Sequence, residues 1–196
     1  MKYLIVSIKG GVGKTGIAQN LATYMNAQCV TNDLVVNANS NIIQLEPKKK
    51  SIPVKFCARV PVVFDFGASY NNLDPKLAHA VKLSNVIVVP TLTDARSLQA
   101  TIDTVNLVKV ANKPIAIILN NFTSETKFKQ AKDYLIDALG RLPIFGIRTT
   151  TLFERVAKDG SDWFSKVHQI KGEYQLNKTR VAHDKVYAAI TALGGK

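Results

Sequence analysis

The chain has 196 residues, 46% of them hydrophobic and 20% charged, a balance that fits one globular domain and excludes wholesale disorder. Lys and Arg outnumber Asp and Glu by 26 to 14, a net charge of +12 spread along the chain rather than held in a basic tail, which favours polyanionic partners, nucleic acid first and an anionic membrane second. The longest apolar runs, at 86–89 and 115–119, are too short to cross a bilayer, and no charged n-region with an apolar h-region opens the chain, so a cytoplasmic protein is expected.

Residues 3–8 read as a first strand and 13–26 as the helix after a Gly-rich turn. Residues 28–32 form a second strand and 61–66 a third. Between them, 37–59 carries Lys48-Lys49-Lys50 and two prolines and reads as a mobile loop or a short hairpin. Residues 86–90 and 115–120 are two more strands, nearly all apolar, as parallel strands buried on both faces are. The helix expected at 97–110 sets Leu98, Ile102, Val105, Leu107 and Val108 largely along one face, and 126–139 repeats the pattern with Phe128, Ala131, Leu135, Ile136 and Leu139. A helix at 151–158 precedes the Asp159-Gly160 break, and another at 181–193 closes the chain. Strands alternating with helices imply a single α/β domain, residues 1–196, whose mostly parallel sheet carries helices on both faces.

The turn Lys9-Gly10-Gly11-Val12-Gly13-Lys14-Thr15 is the strongest chemical signal. Glycines let successive backbone N–H groups point at a phosphate without Cβ clashes, and the helix that begins there adds its partial positive charge. Lys14 is placed to neutralise phosphate oxygens and the Thr15 hydroxyl to ligate Mg²⁺. The ordinary pattern G-x-x-x-x-G-K-[ST] needs a glycine at position 8, where Ile8 stands, and a second lysine, Lys9, opens the loop instead.

This segment, with Gly16 after it, resembles the deviant Walker A motif, K-G-G-x-G-K-[ST], of the ParA/MinD-type ATPases. The resemblance implies a P-loop fold binding ATP and Mg²⁺ through Lys9, Gly10, Gly11, Val12, Gly13, Lys14, Thr15 and Gly16. It also implies that Lys9 reaches across an ATP-dependent homodimer to the partner's nucleotide. Val62-Val63-Phe64-Asp65 is similar to the family's strand ending in a metal-side aspartate, with Phe66-Gly67-Ala68 in place of its Thr-Pro-Pro. Thr31-Asn32-Asp33 with Asn37 is similar to D-x-D-P-Q-x-N, which puts Asp33 on the aspartate associated with hydrolysis and metal, and Thr31 on the first aspartate. Leu119-Asn120-Asn121 resembles the L-N-R segment, so Asn120 is expected at the adenine, for which an amide is chemically suited. Phe145-Gly146-Ile147-Arg148 with Glu154 resembles the I-P-R segment and its later glutamate, placing Arg148 on the adenine side.

Within that family the reading is a small ParA-type ATPase for plasmid partition, with no room before the first strand for an N-terminal DNA-reading domain. Its ATP-bound dimer would hold non-specific DNA, through Lys166, Lys171, Lys178 and Arg180 among others, and a separate centromere-binding or adaptor protein would stimulate slow hydrolysis. Alternatives on the same scaffold are a relative in conjugation or cargo positioning, a MinD-like membrane-cycling ATPase, and a small-molecule ligase or carrier. The closing helix is poor in cations for a membrane anchor, so no stable membrane association is expected. Cys29 and Cys57 lie far apart in apolar runs, without zinc or disulfide spacing, and burial is expected for both. Replacing Lys14 with Ala is expected to abolish nucleotide binding in a titration with Mg-ATP, and unchanged affinity would contradict the assignment of the loop.

Overall fold

Seven strands hydrogen-bond side by side, all in parallel, in the order β3-β2-β4-β1-β5-β6-β7. The computed structural model describes residues 1–32, 42–46, 52–53, 60–67, 75–150 and 174–195, with side chains of the closing helix from residue 178. Strands β1 (Lys2–Ser7), β4 (Val62–Gly67) and β5 (Val86–Thr91) are buried along nearly their whole length, as are the first five residues of β6 (Ile115–Phe122). Their unbroken apolar runs follow from cover on both faces. Strands β2 (Gln28–Thr31), β3 (Ile42–Gln44) and β7 (Ile144–Arg148) extend the sheet to its two edges.

Alternation along each strand divides the core into two layers. On one face Leu4, Val6, Phe64, Phe66, Ile87 and Val89 meet Leu77 and Ala80 of α2 (Pro75–Leu83), Leu98 and Val105 of α3 (Ala95–Val108), and Ala131 and Leu135 of α4 (Glu125–Leu139). On the other, Tyr3, Ile5, Cys29, Val63, Val88 and Ile118 meet Ile17, Ala18 and Leu21 of α1 (Lys14–Tyr24), and Val186, Tyr187 and Ile190 of α5 (Tyr174–Leu193). Helix α1 carries the chain from β1 over β4 toward β2, whereas α3 and α4 lead the opposite way across the other face. Connections therefore diverge at β1, and in an open parallel sheet ligands bind at such a point, beyond the carboxyl ends of the strands.

Helix starts follow local chemistry. The Asp94 side chain accepts from the Ser97 N–H at 3.0 Å at the start of α3, and Ser124 accepts from Lys127 N–H at 3.5 Å at the start of α4. Gly140, at a positive φ of 79° that side chains disfavour, ends α4, its N–H donating to the Ile136 carbonyl at 2.8 Å.

Three elements differ from the sequence reading. In the segment expected as a loop or hairpin, Ile42–Gln44 pairs in parallel with β2, with Cys29 opposite Ile42, whereas a hairpin would pair antiparallel. Helix α2 and strand β7 were not anticipated. The helix expected at 151–158 and the Asp159-Gly160 break lie outside the described residues.

Strand β7 tolerates no side chain at Gly146. A Cβ there would lie 2.7 Å from Phe128 Cε2 and 2.8 Å from Phe122 Cε1, two rings whose centroids stand 4.8 Å apart. Gly146→Ala is expected to destabilise the fold by about 1–3 kcal/mol, the cost of overpacking a filled site, read as a lower urea midpoint at unchanged slope.

Candidate phosphate-binding site

The loop between β1 and α1 is shaped by two left-handed residues, Gly11 at φ 74° and Gly13 at φ 87°, a region that side chains disfavour. A Cβ on Gly10 or Gly11 would meet nothing within 4 Å, so the backbone there borders open space. Gly13 caps α1, its carbonyl accepting from the Ile17 N–H at 3.0 Å. It has no side chain to occupy the first-turn N–H groups, which are thereby left for an anion. Val12 is buried beneath the loop, and Lys14, Thr15 and Gly16 are half-buried in the first turn. The Lys14 ammonium donates to the Lys9 carbonyl at 3.2 Å, which folds its side chain back across the loop.

Helix α3 grips the loop's beginning from the opposite face of the sheet. Thr104 Oγ1, fully buried, donates to the Ala100 carbonyl at 2.6 Å and accepts from the Ile8 N–H at 3.2 Å. The Ile8 side chain packs against that face's core. A bulky residue thus fits where the ordinary pattern has glycine. Lys9 N–H donates to Ser7 Oγ at 3.2 Å. The Asp94 carboxyl is held below its usual range, chiefly by the Ser97 hydroxyl, with the Ser97 N–H and the Lys9 charge adding to the effect. Sequence reasoning missed Thr104 and Asp94. Their trace in the sequence is the row Ser97, Thr101, Thr104 on an otherwise apolar helix face, all three buried.

Asp65 lies on β4, opposite Ile5 of β1 and Thr31 of β2. It is buried, with Thr31 Oγ1 donating to its Oδ2 at 3.3 Å. By alternation with Val63 it belongs to the face that α1 covers. The Thr15 hydroxyl and the Asp65 carboxylate are hard oxygen donors, the type Mg²⁺ takes. Among the described residues no cluster of three or more His, Cys, Asp or Glu could hold a metal. Burial, then the Asp65 charge, pushes the Cys29 thiol up to about 12, so it is inert at neutral pH. Asp33 and Asn37 lie outside the described residues, as do Lys48-Lys49-Lys50, Cys57, Ala68, Glu154, Lys166 and Lys171.

The structure brings Asn120 to the loop, its Nδ2 donating to the Val12 carbonyl at 3.0 Å. Arg148 stands at the end of β7, three strands from β1, ion-paired with Glu125 and 5.4 Å above the centre of the Phe122 ring. It borders a cavity of about 370 Å³ lined also by Phe122, Ile147, Thr149, Lys178 and His183. His183 Nδ1 faces the Thr179 carbonyl at 2.8 Å and must donate to it; burial depresses its pKa. Lys178 is exposed, whereas Arg180 is engaged by Asp184 at 3.5 Å, which leaves its charge less available to a polyanion.

The chain matches the family model for the CobQ/CobB/MinD/ParA nucleotide binding domain over residues 3–162. No curated protein sequence matches it. Among solved structures it is similar to septum site-determining MinD of Pyrococcus horikoshii, complexed with Mg-ADP. The identity is 17% and the TM-score 0.69, with 99% of this chain and 97% of that one covered. A ParA family ATPase of Chlorobium tepidum matches at 18% identity and TM-score 0.67, covering 92% and 98%. A plasmid partition protein of Borrelia burgdorferi, bound to AMPPNP, matches at 18% and 0.60, covering 98% and 97%. At these identities the likeness establishes the fold and leaves function to the site.

Thr31→Val preserves the side-chain shape but removes a donor to a buried carboxylate. It is expected to cost about 1–3 kcal/mol of stability in urea titration, whereas Thr31→Ser, which keeps the hydroxyl, should stay near the parent.

Proposed function

The chain belongs to the CobQ/CobB/MinD/ParA nucleotide-binding family, and from that premise we propose that it is an ATP-dependent dimerising ATPase that holds non-specific DNA and positions DNA cargo. The observation that carries the reading is the loop from Lys9 to Thr15, where left-handed glycines, a helix start without a side-chain cap and the Lys14 ammonium folded over the loop occur together. The N–H groups of the loop bind phosphate oxygens and Lys14 neutralises them. Thr15 and Asp65 would hold Mg²⁺, the second through water; bound there, the ion would neutralise phosphate charge. Asp33 orients the attacking water. Lys9, held near Asp94 in the free chain, reaches the partner's nucleotide in the dimer. Hydrolysis is slow until a separate adaptor protein stimulates it.

Net charge of +12 supports a polyanionic cargo, with exposed Lys178 the leading described contact, ahead of the engaged Arg180. A membrane-cycling role finds less support. The apolar residues of α5 that a surface helix would offer to lipid, Val186, Tyr187 and Ile190, are buried against the sheet. The buried Cys29 likewise offers no exposed thiol to a carrier.

The test is binding to random-sequence duplex DNA with ATP, with ADP and without nucleotide, across a salt series. The expected result is binding that requires ATP and weakens by roughly 0.9 log unit per log salt for each phosphate neutralised. Lys9→Ala should retain ATP binding but lose both the ATP-dependent dimer, by light scattering, and the DNA complex. DNA binding that ignores nucleotide, or a normal dimer in the variant, would contradict the proposal.

A further inference from the structure

Strand β6 ends irregularly. Its register against β7 shifts between Leu119 and Phe122, and Asn121 sits in the left-handed region at φ 55°. Such an irregularity re-aims the side chain beside it. Ile118 faces the α1 layer, and Asn120, next on that face, extends over the loop to its bond with the Val12 carbonyl. Gly13 makes room for it, since a Cβ there would lie 2.3 Å from Asn120 Nδ2. Close approach, strand-end kink and hydrogen bond are separate features, and all three direct one amide onto one carbonyl.

We propose that Asn120 is a positioning residue that braces the phosphate loop through Val12 and thereby couples base recognition to the shape of the phosphate cradle. The proposal rests on reading the loop as a nucleotide site and adds a second task to the base contact expected of this asparagine. The chemistry fixes the amide's orientation. A carbonyl only accepts, so the edge facing Val12 is the NH₂ edge, and Oδ1 is turned away from the loop. An acceptor held in that way suits a purine bearing an exocyclic amine and opposes one bearing a carbonyl at the same position. Movement of Asn120 toward a bound base therefore acts on Val12 and Gly13, the residues that set the start of α1. A triphosphate alone engages the loop without engaging the base side of that link.

The test compares the purified full chain with Asn120→Ala and Asn120→Asp, the second keeping the side-chain shape but unable to donate. Affinity is measured for Mg-ATP and for the ATP analogue whose purine lacks the 6-amino group. With a brace, both variants weaken both ligands by a similar factor, about fivefold, the worth of one ordinary hydrogen bond, and the free protein, which already makes the bond to Val12, melts slightly lower. Asn120→Ala should also narrow the preference for ATP over GTP. If ATP alone weakens, Asn120 is a base contact only and the brace is overturned; if neither ligand weakens, both tasks are lost. A lowered melting temperature with unchanged affinity for both ligands overturns the brace in favour of a purely structural role. Failure of the unaltered chain to bind either ligand defeats the nucleotide reading itself, a result distinct from the others.

Discussion

A central parallel strand must release its chain at the carboxyl end, and here everything at the site follows from how β1 does so. The strand is hydrogen-bonded on both sides and buried on both faces, so the chain can leave only by turning sharply over one layer. Left-handed Gly11 and Gly13 make that turn and start α1 with its first N–H groups uncovered by any side chain. An anion would satisfy those groups and Lys14 at once. The same turn leaves no room beside Gly13 except for Asn120, so the loop's shape and its neighbours are one constraint.

The loop is held from both sides of the sheet. On the α1 face Asn120 grips Val12, while on the other face Thr104 holds the Ile8 N–H and the α3 cap carries the carboxylate near Lys9. Helix α3 is itself fixed by Asp94 at its start and by Leu98 and Val105 in the core. A shift of α3 would therefore be felt at Ile8 and Lys9, the two positions that distinguish this loop from the ordinary phosphate-binding pattern. On the neighbouring strand β2, Thr31 donates to the buried Asp65 carboxylate.

Much of this was legible before any coordinates. Strands β1, β5 and β6 were readable because burial on both faces writes an unbroken apolar run, and the loop because its residue types admit few other uses. Strand β3 was hidden because three residues at a sheet edge carry almost no pattern. Strand β7 was hidden because Gly146, demanded by the Phe122–Phe128 pair, weakens its strand signal. Helix α2 buries a lysine, Lys76, beside Leu77, which blurs its apolar stripe. Asn120 is legible as an amide at a strand end, but its bond to Val12 follows a register shift after Leu119 that a periodic pattern does not show. Thr104 escaped because a hydroxyl that satisfies itself within its own helix looks like any other polar residue on that turn.

The central claim is that the turn after β1 is the phosphate site, and a crystal structure of the full chain with Mg²⁺ and a non-hydrolysable ATP analogue tests it most directly. The account predicts the phosphates among the N–H groups of residues 10–15, with Lys14 on their oxygens, the metal on Thr15 Oγ1 and Asp65 facing its water shell. Nucleotide bound elsewhere, with that loop empty and Lys14 still on the Lys9 carbonyl, would contradict it.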